Sequence, residues 1–250
     1  MDDWPRVLRT RVATLWTHDE TCDGRDLVVP SGRAQLVIDL WGRGHRWSID
    51  GQGQTSGPAV LGGPSSTPVV IERRPGPLLG IVFHPTGLRP FLDRPVGEVA
   101  DQHLDLGEVV PWAEQLVDAA CAAHPTQRFK AVLDVLAPRA TPADSGLVEL
   151  VAHATTARVR DVADEAGLST RQLRDLFAEH VGLSPKRWSR VRRIARSLVG
   201  LRQSDDFGAL AHQLGFYDHA HFTRDFSAVV GRTPSEWRAT MGPWDTHLPL

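Results

Sequence analysis

The side chains best suited to chemistry in this 250-residue chain form two mostly polar sets in its C-terminal third. The first polar set is Thr170, Arg171, Arg174 and Asp175, and the second is His219, Ala220, His221, Thr223 and Arg224. A guanidinium group can donate two parallel hydrogen bonds to the edge of a guanine, and a carboxylate can accept one from a cytosine amine. These residue types therefore predict hydrogen-bonded recognition of base edges.

The first polar set lies in a pattern typical of two short helices joined by a tight turn. Residues 158–166 place apolar side chains on one face at helical spacing, and Gly167 then ends that helix. Ser169 and Gln172 have the spacing of a capping box, in which each side chain bonds the backbone N–H of the other. The second helix turns the polar set outward because its apolar residues face the core. Those apolar residues are Leu173, Leu176 and Phe177.

The same arrangement recurs further along the chain. Gly167 corresponds to Gly215 at a separation of 48 residues. Four more pairs are separated by 49 residues: Phe177 and Phe226, Gly182 and Gly231, Pro185 and Pro234, and Trp188 and Trp237. In the second copy, residues 207–214 form the supporting helix, Asp218 is the expected N-cap, and residues 219–230 carry the second polar set. The sequence therefore predicts a duplicated helix-turn-helix.

A cationic helix is predicted between the two copies, over residues 185–201. At about 1.5 Å per residue it would span roughly 25 Å, so the two outward helices could enter major grooves roughly 34 Å apart on one duplex. Its cations are Lys186, Arg187, Arg190, Arg192, Arg193 and Arg196, with no acidic residue between them. We expect Lys186, Arg187, Arg190 and Arg193 to contact DNA phosphates.

The distribution of charge agrees with this interpretation, although the formal net charge of the chain is only −2. Residues 1–150 hold 14 Lys and Arg against 19 Asp and Glu, a net charge of −5. Residues 151–242 hold 14 against 10, a net charge of +4. A basic C-terminal third is typical of a module that binds nucleic acid.

The N-terminal half has the pattern of short strands followed by helices. Turn residues separate short apolar runs, which favours a sandwich or barrel of jelly-roll type. These runs lie at 34–41, 46–49, 69–72 and 78–83. Helical spacing follows at 87–92, 110–123 and 127–136, and Thr126 is the expected N-cap of the last of these helices.

The predicted fold class is α+β with two domains. Residues 1–140 form a jelly-roll or cupin-like β-barrel with trailing helices, and residues 146–242 form an all-α pair of helix-turn-helix units joined by a linker helix. The polar, proline-containing stretch 141–145 is the expected boundary.

Two segments carry a closer resemblance to known proteins, VADEAGLSTRQLRDLFAEHVGLSPKRW in the first copy and LAHQLGFYDHAHFTRDFSAVVGRTPSEWR in the second. On these segments, residues 148–242 resemble the AraC/XylS-type transcriptional regulators. The resemblance implies a DNA-binding unit with two helix-turn-helix subdomains, and by position it places base contacts within both polar sets. Asp175 departs from the family pattern, in which a basic residue is common. It is expected to accept from a cytosine amine or to brace an arginine.

The N-terminal stretches VPSGRAQLVIDLWG and GIVFHPTGLRPFLDRPVGEVADQHLDL are similar to the β-rich sensor domains of a poorly characterised subgroup of such regulators. That resemblance names no ligand. Trp41, Trp47 and Phe83 are candidates for lining a ligand cavity, with an ordinary core role as the alternative.

The leading interpretation is a sequence-specific transcription factor, not an enzyme, that binds double-stranded DNA and needs no metal or cofactor. A small molecule or a partner at the N-terminal domain is expected to modulate it, while homodimer formation and contact with RNA polymerase stay open. Effector, target promoter and sign of regulation are not predicted.

Two other interpretations stay open. One is a cupin-like metalloenzyme whose C-terminal helices only scaffold or dimerise it. His45 and His84 lie on or beside strands but complete no cupin-type triad, and His219 and His221 would diverge by about 200° on a helix. The other is a ligand-independent regulator whose N-terminal domain merely dimerises.

Several protein classes are disfavoured. Ser65 and Ser66 lack the strand-to-helix elbow of a hydrolase, and the sequence has no P-loop motif. No apolar run approaches the roughly 18 residues of a membrane helix, and no apolar leader follows the first residues. We therefore expect a cytoplasmic location, with Cys22 and Cys121 reduced.

Overall fold

The computed structural model describes residues 4–49, 52–203, 207–240 and 247–249. It has the predicted α+β architecture, with a strand-rich N-terminal region and a helical C-terminal region. Its strands are β1 Val12–Glu20, β2 Gly24–Val28, β3 Gln35–Asp39, β4 Arg46–Ile49, β5 Gln52–Thr55, β6 Ala59–Gly62, β7 Val69–Arg73, β8 Gly76–Phe83, β9 His103–Asp105 and β10 His247–Pro249. Its helices are α1 Arg6–Arg9, α2 Leu106–Val109, α3 Ala113–Ala122, α4 Arg128–Leu136, α5 Ser145–His153, α6 Val159–Glu165, α7 Thr170–His180, α8 Pro185–Gln203, α9 Phe207–Gln213, α10 His219–Val230 and α11 Pro234–Thr240.

The described strands form two five-stranded sheets. The strand order is β1-β8-β3-β6-β9 in the first sheet and β10-β2-β7-β4-β5 in the second, and neighbouring strands pair antiparallel. The strand β10 comes from the C-terminal end of the chain and pairs with β2, with Leu248 opposite Leu27. The second sheet therefore contains residues from both ends of the sequence.

The first sheet separates two environments. One face carries Leu36, Ile38 and Ile81, which are at most 1% exposed and belong to the main core with the helices α3 and α4. Toward the second sheet, only a small buried cluster forms, from Val60 of the first sheet and Trp47 and Val69 of the second. The helix-facing side is therefore a packed core, whereas few apolar side chains fill the space between the sheets.

The four predicted strands all occur, three of them with shifted ends. The strand β4 has the predicted limits, β3 is shorter at both ends, β7 is one residue longer, and β8 begins at Gly76 directly after a bend at Pro75. The sequence did not predict the other six strands, β1, β2, β5, β6, β9 and β10.

Two local helical predictions were wrong. Residues 87–92 contain only the 3-10 helix Arg89–Phe91, with a proline in its first turn. Thr126 is not an N-cap, because it lies inside the 3-10 helix Pro125–Gln127, where its N–H is bonded by the side chain of His124. Helix α4 begins after Gln127, which makes no side-chain cap.

The C-terminal helices share one core. Its largest members are five aromatic side chains, four of which recur in the two sequence copies, and all of them are at most 1% exposed. They are Phe177, Trp188, Phe222, Phe226 and Trp237. Trp188 and Trp237, which occupy equivalent positions in the two copies, therefore pack in this core.

The segment between the two regions has no regular secondary structure at residues 141–144. It is held by Arg11, whose guanidinium donates to the carbonyl oxygens of Thr141 at 2.7 Å, Pro142 at 2.7 Å and Thr86 at 2.8 Å. The domain limits stay a prediction.

The two regions are also in direct contact. Val29 of the sheet region belongs to the helical core, and the ring of Trp188 packs against Gly32. Ala178 near the C-terminal end of α7 packs against Gly97 in the 3-10 helix Val96–Val99.

Candidate functional site

The first helix-turn-helix is formed by α6 and α7, and local hydrogen bonds fix where α7 begins. Gly167 has a φ of +66°, which suits glycine and allows the tight turn after α6. The Ser169 hydroxyl accepts from the N–H of Gln172 at 3.2 Å, and the Gln172 side chain accepts from the N–H of Ser169 at 2.9 Å. The predicted capping box is thus confirmed.

The first polar set lies on the solvent side of α7. Thr170, Arg171, Arg174 and Asp175 are all exposed, while Leu173 and Phe177 are fully buried. The contact with the sheet region involves Ala178 and Glu179, one turn beyond this set. The base-contact residues proposed for α7 are therefore open to solvent.

Asp175 has a partner on its own helix. Its Oδ2 lies 3.9 Å from Nε of Arg171, four residues earlier. This geometry agrees with the expectation that Asp175 braces an arginine, since a carboxylate at this spacing limits the orientations of the guanidinium group.

The second polar set is on α10, whose N-cap is Asp218 as predicted. Asp218 Oδ1 accepts from the N–H of His221 at 2.6 Å. His219, Ala220 and Arg224 are exposed, whereas His221 and Thr223 are half-buried. The hydroxyl oxygen of Thr223 is shielded from solvent and has no hydrogen-bond partner among the described residues.

Asp225 is a central ion-pair partner that the sequence analysis did not single out. Its carboxylate lies 3.4 Å from Nε of Arg190, 3.8 Å from Nη2 of Arg193 and 3.5 Å from Nε2 of His221. It joins α8 to α10 and orients His221. Only its spacing of four residues from His221 could have drawn attention to it in the sequence.

The helix α8 has 19 residues, and at about 1.5 Å per residue it is roughly 28 Å long. Lys186 is exposed, but the other three predicted phosphate ligands already have protein partners. Arg190 and Arg193 contact Asp225, and Arg187 contacts Ser66 and Asp101 of the sheet region. Phosphate contacts by these three arginines would have to replace or share those partners.

Arg192, another cation of α8, is bound to the sheet region. Its Nη1 donates to the carbonyl oxygen of Ser31 at 3.1 Å, and its guanidinium lies 5.4 Å from the centre of the Trp188 ring. Burial, together with the charges of Arg33 and Arg196, lowers the pKa of Arg192 to about 10. Arg192 thus links α8 of the helical region to Ser31 of the sheet region.

Comparison with known proteins identifies the helical region. Residues 162–240 match the family model described as "Helix-turn-helix domain". The HTH-type transcriptional activator RhaS of Escherichia fergusonii is 36% identical over 78 residues, which are 31% of this chain and 28% of that protein. The Arabinose operon regulatory protein of Escherichia coli K12 is 30% identical over 82 residues, or 32% of this chain and 28% of that protein. The C-terminal region is an AraC-type helix-turn-helix domain.

The AraC-type domain matches less than a third of the length of these relatives. Residues 5–105 match a second family model, "Domain of unknown function (DUF6597)". The fold of the whole chain is similar to the 1.65 Å structure of ToxT from Vibrio cholerae, with a TM-score of 0.51 and 11% identity over 91% of this chain and 98% of that one. At this identity the similarity concerns the fold alone.

A second candidate site lies outside the AraC-type domain, between the two sheets. It is a cavity of about 710 Å³ whose walls come from both sheets. Of the three aromatic candidates, Trp47 lines it, Phe83 belongs to the helix-facing core, and Trp41 is 61% exposed and does not line it. Trp16 and His103 also line the cavity, and neither was singled out in the sequence.

Burial lowers the pKa of two of the three histidines that line this cavity. It lowers the pKa of His103 to about 4, and it is the largest influence lowering the pKa of His45, against hydrogen bonding to Pro58. Both imidazoles are therefore neutral at pH 7. The His103 ring lies 5.9 Å from the ring of Trp47.

No helix in the described ranges combines the length and apolar character that crossing a membrane requires. In the same part of the chain, no three His, Cys, Asp or Glu side chains are grouped in a way that could hold a metal ion.

Proposed function

We propose that this protein is a sequence-specific, DNA-binding transcriptional regulator that reads duplex DNA with α7 and α10. The observation that carries the proposal is that the AraC-type domain exposes hydrogen-bonding side chains at corresponding positions of its two capped helices. Helices supported in this way can enter a major groove without rearranging their own core.

The exposed residues divide into base-reading and phosphate-contacting groups. Arg171, Arg174 and Arg224 can each donate two hydrogen bonds to a guanine, while Thr170 and His219 can bond to several bases. Asp175 would orient Arg171 or accept from a cytosine amine. Lys186 is suited to a phosphate because it is exposed near the start of the cationic helix α8.

The names of the relatives support a role in transcription. RhaS is described as a transcriptional activator, and the second relative as the regulatory protein of the arabinose operon. Because the match is confined to the AraC-type domain, the regulated genes and the sign of regulation do not transfer from them.

We also propose that a small molecule in the cavity between the sheets modulates DNA binding. A volume of about 710 Å³ lies within the range of roughly 300–1,000 Å³ that is common for ligand pockets. The sheet region also contacts α7 and α8 directly, so a change in the sheets has a short physical route to the DNA-binding helices.

The proposal is tested by selecting genomic fragments with the purified full chain and measuring affinity for the selected sequence and for random DNA at several salt concentrations. Arg171→Ala and Arg224→Ala should each cost about 1–3 kcal/mol on the selected sequence and relax preference at one base position. Arg160→Ala is the matched control, because Arg160 is exposed on the supporting helix α6 and pairs with Asp164. It should change affinity for selected and random DNA by one common factor.

Two results would contradict the proposal. One is equal loss on selected and random DNA for Arg171→Ala and Arg224→Ala. The other is the absence of any selected sequence, together with stoichiometric iron or manganese in the purified protein, which would favour the metalloenzyme.

A further inference from the structure

Two glycines of the first sheet lie beside residues that line the cavity between the sheets. Gly80 pairs with Trp16 of β1 and Val37 of β3, and Gly62 pairs with Gln35 and His103. A Cβ atom on Gly80 would lie 1.9 Å from Cε2 of Trp16, so the indole ring rests directly on the backbone of β8. The missing side chain of Gly80 therefore allows the Trp16 ring to pack against the sheet at the cavity wall.

The middle of the cavity is apolar and aromatic. Trp16, Val37 and Val60 line it from the first sheet. Val28, Val69, Ile71 and Trp47 line it from the second. Two indole rings in one pocket favour a flat aromatic ligand, because offset and edge-on ring contacts add to the stabilisation from burying area.

Most charged residues of the cavity wall are paired with protein groups, whereas the exposed Asp19 has no such partner among the described residues. Arg73 lies 3.1 Å from Asp26 and 3.3 Å from Glu20, Arg46 lies 3.9 Å from Glu72, and Arg74 donates to the carbonyl of Gly44 at 2.5 Å. Five carboxylates line the cavity against three guanidinium groups: Asp19, Glu20, Asp26, Asp39 and Glu72 against Arg46, Arg73 and Arg74.

This charge pattern disfavours a charged ligand. An anion would enter a wall with more carboxylates than guanidinium groups, and the neutral His103 offers it no compensating charge. Asp26 and Asp39, the two buried carboxylates, are engaged by Arg73 and Arg43, so a cation that paired with either of them would have to displace an arginine. An uncharged molecule loses the least hydration free energy on entering such a site.

Two polar groups of the cavity lining, the Gln35 amide and Nδ1 of His103, have no hydrogen-bond partner among the described residues. The side-chain amide of Gln35 lines the cavity, and none of the described residues forms a hydrogen bond with it. Its Cγ lies beside Gly62, where an added Cβ would be 3.6 Å away. An amide can both donate and accept, so it can bind a hydroxyl or a carbonyl group of a ligand.

We propose that the cavity binds an uncharged aromatic molecule whose ring contacts Trp16 and Trp47 and whose polar group is hydrogen-bonded to the Gln35 amide. This inference rests on the proposed effector site and names its ligand class. Its test does not involve DNA. A negative result would therefore count against the ligand class and not against the proposed DNA-binding function.

The test uses three probes with one ring system and different charge: 2-naphthol, 2-naphthoate and 2-naphthylmethylammonium. Binding to the full chain at neutral pH is measured by calorimetry and by quenching of tryptophan fluorescence. We expect saturable binding of 2-naphthol at one site, with the anion and the cation at least tenfold weaker. Equal or tighter binding of either charged probe, or no saturable binding of 2-naphthol, would overturn the proposal.

Two variants connect binding to the site. Gln35→Leu keeps a similar side-chain size but removes the amide, so it should weaken 2-naphthol about tenfold and leave naphthalene unchanged. Val60→Phe should abolish binding of both by filling the cavity, whereas Val199→Phe adds a ring at an exposed position of α8 and should have no effect. Unchanged binding of 2-naphthol to both Gln35→Leu and Val60→Phe would place it elsewhere and overturn the proposal.

Discussion

Asp101 of the sheet region forms an ion pair with Arg187 of α8, so one of the predicted phosphate ligands is held by a protein carboxylate. Asp101 has a φ of +55° and accepts from the N–H of Ser66 at 2.7 Å. Ser66 in turn accepts from Nε of Arg187 at 3.1 Å. The loop around Asp101 therefore offers Arg187 a binding site that would compete with the proposed contact to DNA phosphate.

Asp101→Asn is expected to strengthen DNA binding. The substitution removes the anion that holds Arg187 and leaves the guanidinium free for a phosphate. Affinity should rise severalfold at low salt, and the slope of log affinity against log salt should steepen by up to about 0.9. Asp93→Asn is the control for the change in net charge, because Asp93 is exposed and pairs with the adjacent Arg94. An equal gain with both variants would show that Arg187 is not the cause.

The contact between Arg171 and Asp175 predicts coupling in a double-mutant cycle. If Asp175 orients Arg171, Asp175→Asn should lower affinity for the selected sequence in the wild-type background. It should have little effect once Arg171 has been replaced by Ala, giving a coupling free energy of about 0.5–3 kcal/mol. If the two substitutions instead lower the binding free energy additively, and Asp175→Asn alters the preference at a different base, Asp175 is an independent base contact.

The capping boxes predict comparable stability losses in the two helix-turn-helix copies. Ser169→Ala removes the cap of α7, and Thr233→Ala removes that of α11, where the Thr233 hydroxyl accepts from Glu236 N–H at 3.2 Å. Each should lower the free energy of unfolding by about 1 kcal/mol, measured by urea denaturation. Ser235→Ala, at an exposed position next to the second cap, is the control and should change it by less than about 0.5 kcal/mol.

Burial of His103 predicts a loss of stability in acid. Its pKa is about 4 in the folded chain and close to 6.5 when unfolded, so the unfolded state binds the proton first as the pH falls. The contribution of neutral His103 is complete above about pH 6.5 and is lost between there and about pH 4. Relative to His103→Gln, the wild type should lose up to about 3 kcal/mol of unfolding free energy across that window.

The control for this measurement is His212→Gln, because His212 is exposed. It should follow the wild-type pH dependence. Parallel pH curves for the wild type and His103→Gln would show that His103 titrates normally in the folded protein.

The helix-turn-helix copies could be predicted because their signals are short-range. A capping box links residues three apart, the helical period repeats within a few residues, and the turn glycines adopt a positive φ at Gly167 and Gly215. The strands were harder to predict because their partners are distant. The strand β5 is fully exposed and its residues Gln52–Thr55 are polar, so only its pairing with β4 defines it as a strand.

The sequence by itself determined the helical period, the caps and the duplicated polar sets of the AraC-type domain, because these depend on residues within a turn or two of each other. The tertiary structure decided which cations are open to a ligand, since Arg187 is 86 residues from Asp101 and the partners of Arg190 and Arg193 lie on another helix. It also formed the cavity, by bringing residues of both sheets around one space. Ion pairing and cavity formation depend on contacts between distant parts of the chain, which no local pattern encodes.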